Sequence, residues 1–135
     1  RECWEAFASE RSALSRYATR LGDQSHASGI SFIQLIDLAM QNDENALFAL
    51  RETARYIGIG MGNLIQGLSP EAIIVGGTIV RAWPLISGDI QSAAAQVICN
   101  GIHQTKIMPS TLGGEPGLLG AFSLVLADKF ASISI

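Results

Sequence analysis

Apolar residues recur at steps of three and four through the middle of the chain, at Leu47, Leu50, Ala54, Ile57, Met61, Leu64 and Leu68. A stripe of that spacing, sustained over about six turns, predicts one long amphipathic helix. It runs straight through Gly58, Gly60 and Gly62. Glycine-rich segments can instead cradle phosphates with backbone N–H groups. A phosphate loop would break the period, and the period is unbroken. There is also no Gly-x-Gly-x-x-Gly match, because position 63 is asparagine. Each interior glycine costs about 0.5–1 kcal/mol relative to alanine in a helix. Gly58 and Gly62 lie four apart, with Ala54 one turn earlier, so close approach of another backbone is the expected offset. The prediction is one unbroken helix from Asn45 to Leu68, with Asp43 able to cap it.

Other elements fall around this rod. A first helix is expected through "CWEAFASERSALSRYATRLG", where Trp4, Phe7, Leu14, Tyr17, Ala18 and Leu21 recur at helical spacing and Gly22 suits a C-cap. "DQSHASGI" is polar and loop-like. Ser31 and Gln34 form a capping-box pattern ahead of Phe32, Leu35, Ile36 and Ala39. Ser69-Pro70 stops the long helix. "AIIVGG", Ala72 to Gly77, reads as a buried strand. "WPLISGDIQSAAAQVICNG" is a helix with Pro84 in its first turn and Asn100-Gly101 at its end. "KIMPSTL" is a second short strand, made an edge or irregular one by Met108-Pro109. A last apolar helix is expected in "GLLGAFSLVLADKF". Helix, strand, helix, strand, helix implies parallel strands joined by a crossover helix, an α/β fold that is predominantly helical. Two strands make a poor sheet alone, so partner strands are expected upstream. The chain opens on "RECWEAF", without methionine, and reads as part of something longer.

Composition narrows the function. The chain has 135 residues, a net charge of −3 and only two lysines, Lys106 and Lys129, so no basic patch suggests nucleic-acid binding by this segment. Two distant cysteines, Cys3 and Cys99, are no disulfide framework, and a reducing cytoplasm is the expectation. The longest apolar stretch is too short to span a bilayer. His26 and His103 lack ligand spacing and read as surface residues. Cys99 reads as a packed small residue. Ser110 and Ser123 lack the context of an activated nucleophile. Glu115 in "GGEP" suits either a helix cap or a ligand contact.

Three segments together resemble the ROK family of repressors, open reading frames and sugar kinases. "CWEAFAS" looks like the end of the family's cysteine motif, roughly C-x-C-G-x-x-G-C-x-E. "LSPEAIIVGGTIV" resembles its later Pro-Glu segment leading to a strand that ends in Gly-Gly. "PSTLGGEPGLLGAFSLV" resembles its C-terminal segment. They occur in family order and span about residues 3 to 130. The resemblance implies that residues 1–135 are the C-terminal portion of an actin-like ATPase (ribonuclease-H-like) domain. It implies that Cys3 is one ligand of a structural zinc whose other ligands, two cysteines and a histidine, lie upstream. Glu2 stands where the family usually has glycine, and Glu10 where it often has glycine. The resemblance also implies that Glu5 hydrogen-bonds sugar hydroxyls, a role that suits a carboxylate. The alternative for Glu5 is an acidic residue favoured by the first turn of a helix. Gly76 and Gly77 match the pair beside the adenosine in kinase members, and their alternative is a tight strand-to-helix turn.

Two functions follow from the resemblance. One is the sugar-binding and dimerising portion of a transcriptional regulator, whose DNA-binding domain would lie upstream. The other is the C-terminal portion of a sugar kinase using ATP and Mg²⁺, whose catalytic aspartate also lies upstream, so this segment alone is not expected to catalyse phosphoryl transfer. Trp4, between the cysteine and the glutamate, looks more like the regulator members. The regulator reading comes first on that ground, with sugar as ligand, a homo-oligomer as assembly and no membrane.

Overall fold

The computed structural model describes residues 3–22, 29–98 and 105–112. Two helices open it, α1 (Glu5–Ala8) and α2 (Glu10–Leu21), followed by α3 (Phe32–Met40) and α4 (Glu44–Leu68). Strand β1 (Ala72–Val75) leads through a 3₁₀ turn (Thr78–Ala82) into α5 (Trp83–Val97), and β2 (Lys106–Pro109) follows. The two strands are parallel, with Ala72 opposite Lys106 and Val75 opposite Pro109, so α5 is the crossover the element order implied. The expected final helix lies outside the described residues.

The capping signals act as read. Ser31 accepts from the Gln34 backbone at 3.3 Å, and the Gln34 side chain accepts from the Ser31 N–H at 2.7 Å. Asp43 accepts from the Ala46 N–H at 2.7 Å and starts α4. Gly22 closes α2 in the left-handed region at φ 70°. Ser69 ends α4 in the same region, at φ 45°.

Helix α4 is the axis, packed on α1, α2, α3 and α5. A Cβ placed on Gly58 would run into the Ile90 carbonyl oxygen and lie 2.8 Å from the Ala93 Cβ. One on Gly62 would lie 2.7 Å from the Val97 Cβ and 2.9 Å from the Ala94 carbonyl oxygen. Both glycines are therefore the close seam with α5 that the sequence suggested. The fully buried side chains, Leu35, Ile36, Leu50, Ile65, Ile86 and Ile90, form the core around this axis. Tyr17 joins it, and burial, with Asp43 as a lesser cause, raises its pKa above the ordinary tyrosine value.

Four expectations need correction. The first helix is broken, because Ser9 turns extended (φ −89°, ψ 162°) and its side chain accepts from the Ser12 N–H, restarting the chain as α2. Glu10 is then the first residue of the new helix, where the dipole favours an acid. The stripe on α4 does not stay buried, since Leu64 is 49% and Leu68 73% exposed. Strand β1 stops at Val75, and Ile74 is exposed on the sheet face that α-helices do not cover here. Helix α5 ends at Val97, where Ile98 turns extended, before Asn100-Gly101.

Candidate functional site

Glu5 stands in the first turn of α1, exposed, with Cys3 exposed just before it. Among the described residues no hydrogen bond or ion pair ties the Glu5 carboxylate. One turn of helix has no stability of its own. The local backbone bonds, from the Ala6 N–H to the Cys3 carbonyl and from the Phe7 and Ala8 N–H groups to the Trp4 carbonyl, must be supported from outside.

That support comes from both ends. The Trp4 indole packs on α4 at Gly60, where a Cβ would come within 2.6 Å of the ring, and its Nε1–H donates to the Tyr56 carbonyl at 2.7 Å. At the other end the carbonyls left open by so short a helix find donors. The Ser12 hydroxyl donates to the Ala6 carbonyl at 2.5 Å, and Arg16 donates from Nη2 to the Phe7 carbonyl at 2.8 Å. The same guanidinium donates from Nη1 to the Thr53 hydroxyl at 2.7 Å and lies 4.9 Å from the centroid of the Tyr56 ring. Tyr56 in turn stacks on Phe7 at 5.2 Å. Sequence reasoning named Trp4 but missed its seat at Gly60, and it missed Arg16 altogether. No local signal marks either one, since the Trp4–Tyr56 contact joins residues 52 positions apart.

Cys3 does not meet other ligands here. Among the described residues no three His, Cys, Asp or Glu side chains converge as a metal group. One thiolate does not make a tetrahedral site, so the described residues by themselves do not fit a bound zinc.

Gly76 and Gly77 sit on another part of the molecule, at the carboxyl end of β1. Ligands of open α/β sheets lie outside that end. Gly77 has φ 87° and ψ −174°, a region open essentially to glycine alone, and its carbonyl accepts from the Val80 N–H to begin the 3₁₀ turn. The turn thus requires Gly77 on backbone grounds. Gly77→Ala should cost about 1–3 kcal/mol in thermal denaturation, and an unchanged midpoint would show that this φ is not held. The 3₁₀ turn packs on α3 and α5 while α1 packs on α2 and α4, so the two glycines and Glu5 belong to different stations.

The remaining candidates separate cleanly. Ser110 belongs to a turn, its N–H donating to the Val75 carbonyl and its hydroxyl accepting from the Leu112 N–H. Met61 is core. His26, Cys99, His103, Glu115 and Ser123 lie outside the described residues. No helix among the described residues is long and apolar enough to cross a membrane.

Comparison with known proteins bears on this arrangement. A xylose repressor of Bacillus spizizenii is 32% identical over 127 residues, covering 93% of this chain and 32% of the repressor. A glucokinase of Streptomyces coelicolor is 30% identical over 138 residues, covering 90% of this chain and 43% of the kinase. The chain thus spans less than half the length of either relative. Among solved structures, a ROK family glucokinase from Streptomyces griseus in complex with glucose and AMPPNP superposes with a TM-score of 0.80 at 27% identity, over 90% of this chain and 44% of that one. The fold is accordingly that of the actin-like ATPases, here mostly helical with a short parallel sheet. The sequence profile of the ROK family matches residues 1–128, and the chain belongs to that family.

Proposed function

We propose that this chain is the C-terminal, sugar-binding and dimerising portion of a transcriptional regulator. One observation carries the sugar-binding part of the reading: the Glu5 carboxylate, exposed and without a partner among the described residues, is presented on a helical turn pinned at both ends. A carboxylate presented from such a turn suits two hydroxyls of a sugar. The xylose repressor relative supports a regulator. Cys3, two residues before Glu5, would supply one thiolate of a structural zinc completed by residues upstream, and DNA would be met by a domain outside this chain.

A second reading is the C-terminal portion of an ATP-dependent sugar kinase. It is favoured by the likeness to glucokinases and by the open position of Gly76 and Gly77 at the end of β1. In that case ATP with Mg²⁺ would lie beside the glycine pair, and the reacting aspartate would come from outside this chain.

Calorimetry on the full-length protein with D-xylose and D-glucose tests the shared part. Glu5→Ala removes a charged hydrogen-bonding partner worth about 1.5–3 kcal/mol, so the sugar that binds should bind roughly 10–150-fold more weakly, with folding intact. Equal binding by the variant would reduce Glu5 to a helix-terminus charge. An assay of ADP release with the same sugar separates the readings, since sustained turnover supports the kinase and sugar-dependent release from operator DNA supports the regulator.

A further inference from the structure

We propose that Trp4 and Arg16 are positioning residues that hold the helical turn from which Glu5 reaches its ligand; the proposal rests on Glu5 being the sugar contact. Helix α1 is four residues long, and its N-cap position, Trp4, makes no side-chain cap of its own. Within α1 only the stack of Phe7 on Tyr56 ties the turn to α4. Trp4 fixes the entry through the Tyr56 carbonyl, and only a glycine at position 60 leaves room for the indole. Arg16 fixes the exit, with one arm of the guanidinium donating to the Phe7 carbonyl, the other to the Thr53 hydroxyl, and the Tyr56 ring against its face. Thr53 is itself buried and donates to the Ala49 carbonyl at 2.8 Å, so the arm rests on the buried face of α4. Both clamps converge on one turn of α4, around Tyr56.

Trp4 remains 47% exposed despite this seat. Burial in the core therefore does not explain it, whereas a clamp at the mouth of a site does. A site loosened by its supports loses affinity while its contact residue stays in place.

The test is a double-mutant cycle on the full-length protein, read by calorimetry with D-xylose and D-glucose. Trp4→Phe keeps an aromatic ring and removes the N–H donor; Arg16→Lys keeps the charge and removes the fork. Each should weaken sugar binding about 3–10-fold, the equivalent of one hydrogen bond. In a Glu5→Ala background neither should weaken it further, because a positioning residue acts only through the group it positions. Additive losses in that background would overturn the proposal by showing direct or merely structural roles. Unchanged binding in both single variants would overturn it too. If Glu5→Ala alone binds normally, the sugar-contact reading fails first, and the positioning role falls with it. A spectroscopic check uses Trp83→Phe, which leaves Trp4 as the reporting indole of this chain: its fluorescence should shift on sugar addition in the parent and not in Glu5→Ala.

Discussion

Truncating Ile65 to alanine should destabilise the protein by about 2–5 kcal/mol, whereas Leu68→Ala should change it by less than about 0.5 kcal/mol. The heptad-like stripe in the sequence ranks them the other way, since Leu68 belongs to it and Ile65 does not. The structure reverses the ranking because the neighbours of α4 change along its length. In its first half α4 is covered by α2, which reaches it at Asn45 and Thr53. Farther on it is covered by α5, at Gly58 and Gly62. The buried face therefore swings by roughly a quarter turn, given about 100° per residue. Ile65 lies on the same side as Gly58 and Gly62, which meet α5, and is fully buried. Leu64 and Leu68 continue the earlier face, where no described helix covers them, and stay exposed. Urea denaturation of both variants, with the slope unchanged, measures the difference. Equal losses would mean that Leu68 is covered after all and that the swing is absent.

Residues near one another in sequence carried most of what could be read in advance. Ser31 with Gln34, Asp43, Gly22 and Ser69-Pro70 act within a turn of themselves, so they mark boundaries in the folded chain as they do on paper. The break at Ser9 was equally local, a serine cap followed by an acid, but a continuous apolar spacing across it pointed to one helix. What escaped was the set of contacts between distant residues. Gly60 was given no packing role of its own in the sequence, and its partner is an indole near the chain's start rather than a helix backbone. Arg16 drew no reading from the sequence, and its two hydrogen bonds to Thr53 and Phe7 depend on α1 folding back over α4. Glu5 was singled out through its family motif. The clamp that could make it work is a tertiary object, with no spacing in the sequence to give it away.

Gly58→Leu should cost about 1–3 kcal/mol, with the upper end expected. A generic glycine-to-alanine change inside a helix gains about 0.5–1 kcal/mol, because the backbone of the unfolded chain becomes less free and helix propensity rises. At Gly58 that gain meets a wall. The first atom added would press on the Ile90 carbonyl oxygen, 3.1 Å from the Ile90 carbonyl carbon, and on the Ala93 Cβ. These are backbone and a one-carbon side chain, so no rotamer can move aside. Ile90 is fully buried and Ala93 nearly so, which leaves α5 to shift as a body. Even Gly58→Ala should therefore lower stability. Gly67 supplies the control on the same helix, since a Cβ there meets nothing within 4 Å and the position is exposed. Gly67→Ala should raise stability by up to about 1 kcal/mol. Thermal denaturation resolves the sign, because each kcal/mol moves the midpoint by roughly 2–8 °C for domains bracketing this size. A rise for Gly58→Ala matching that of Gly67→Ala would mean that α4 and α5 are not in contact at Gly58, and the packing origin of the glycine pair would be lost with it.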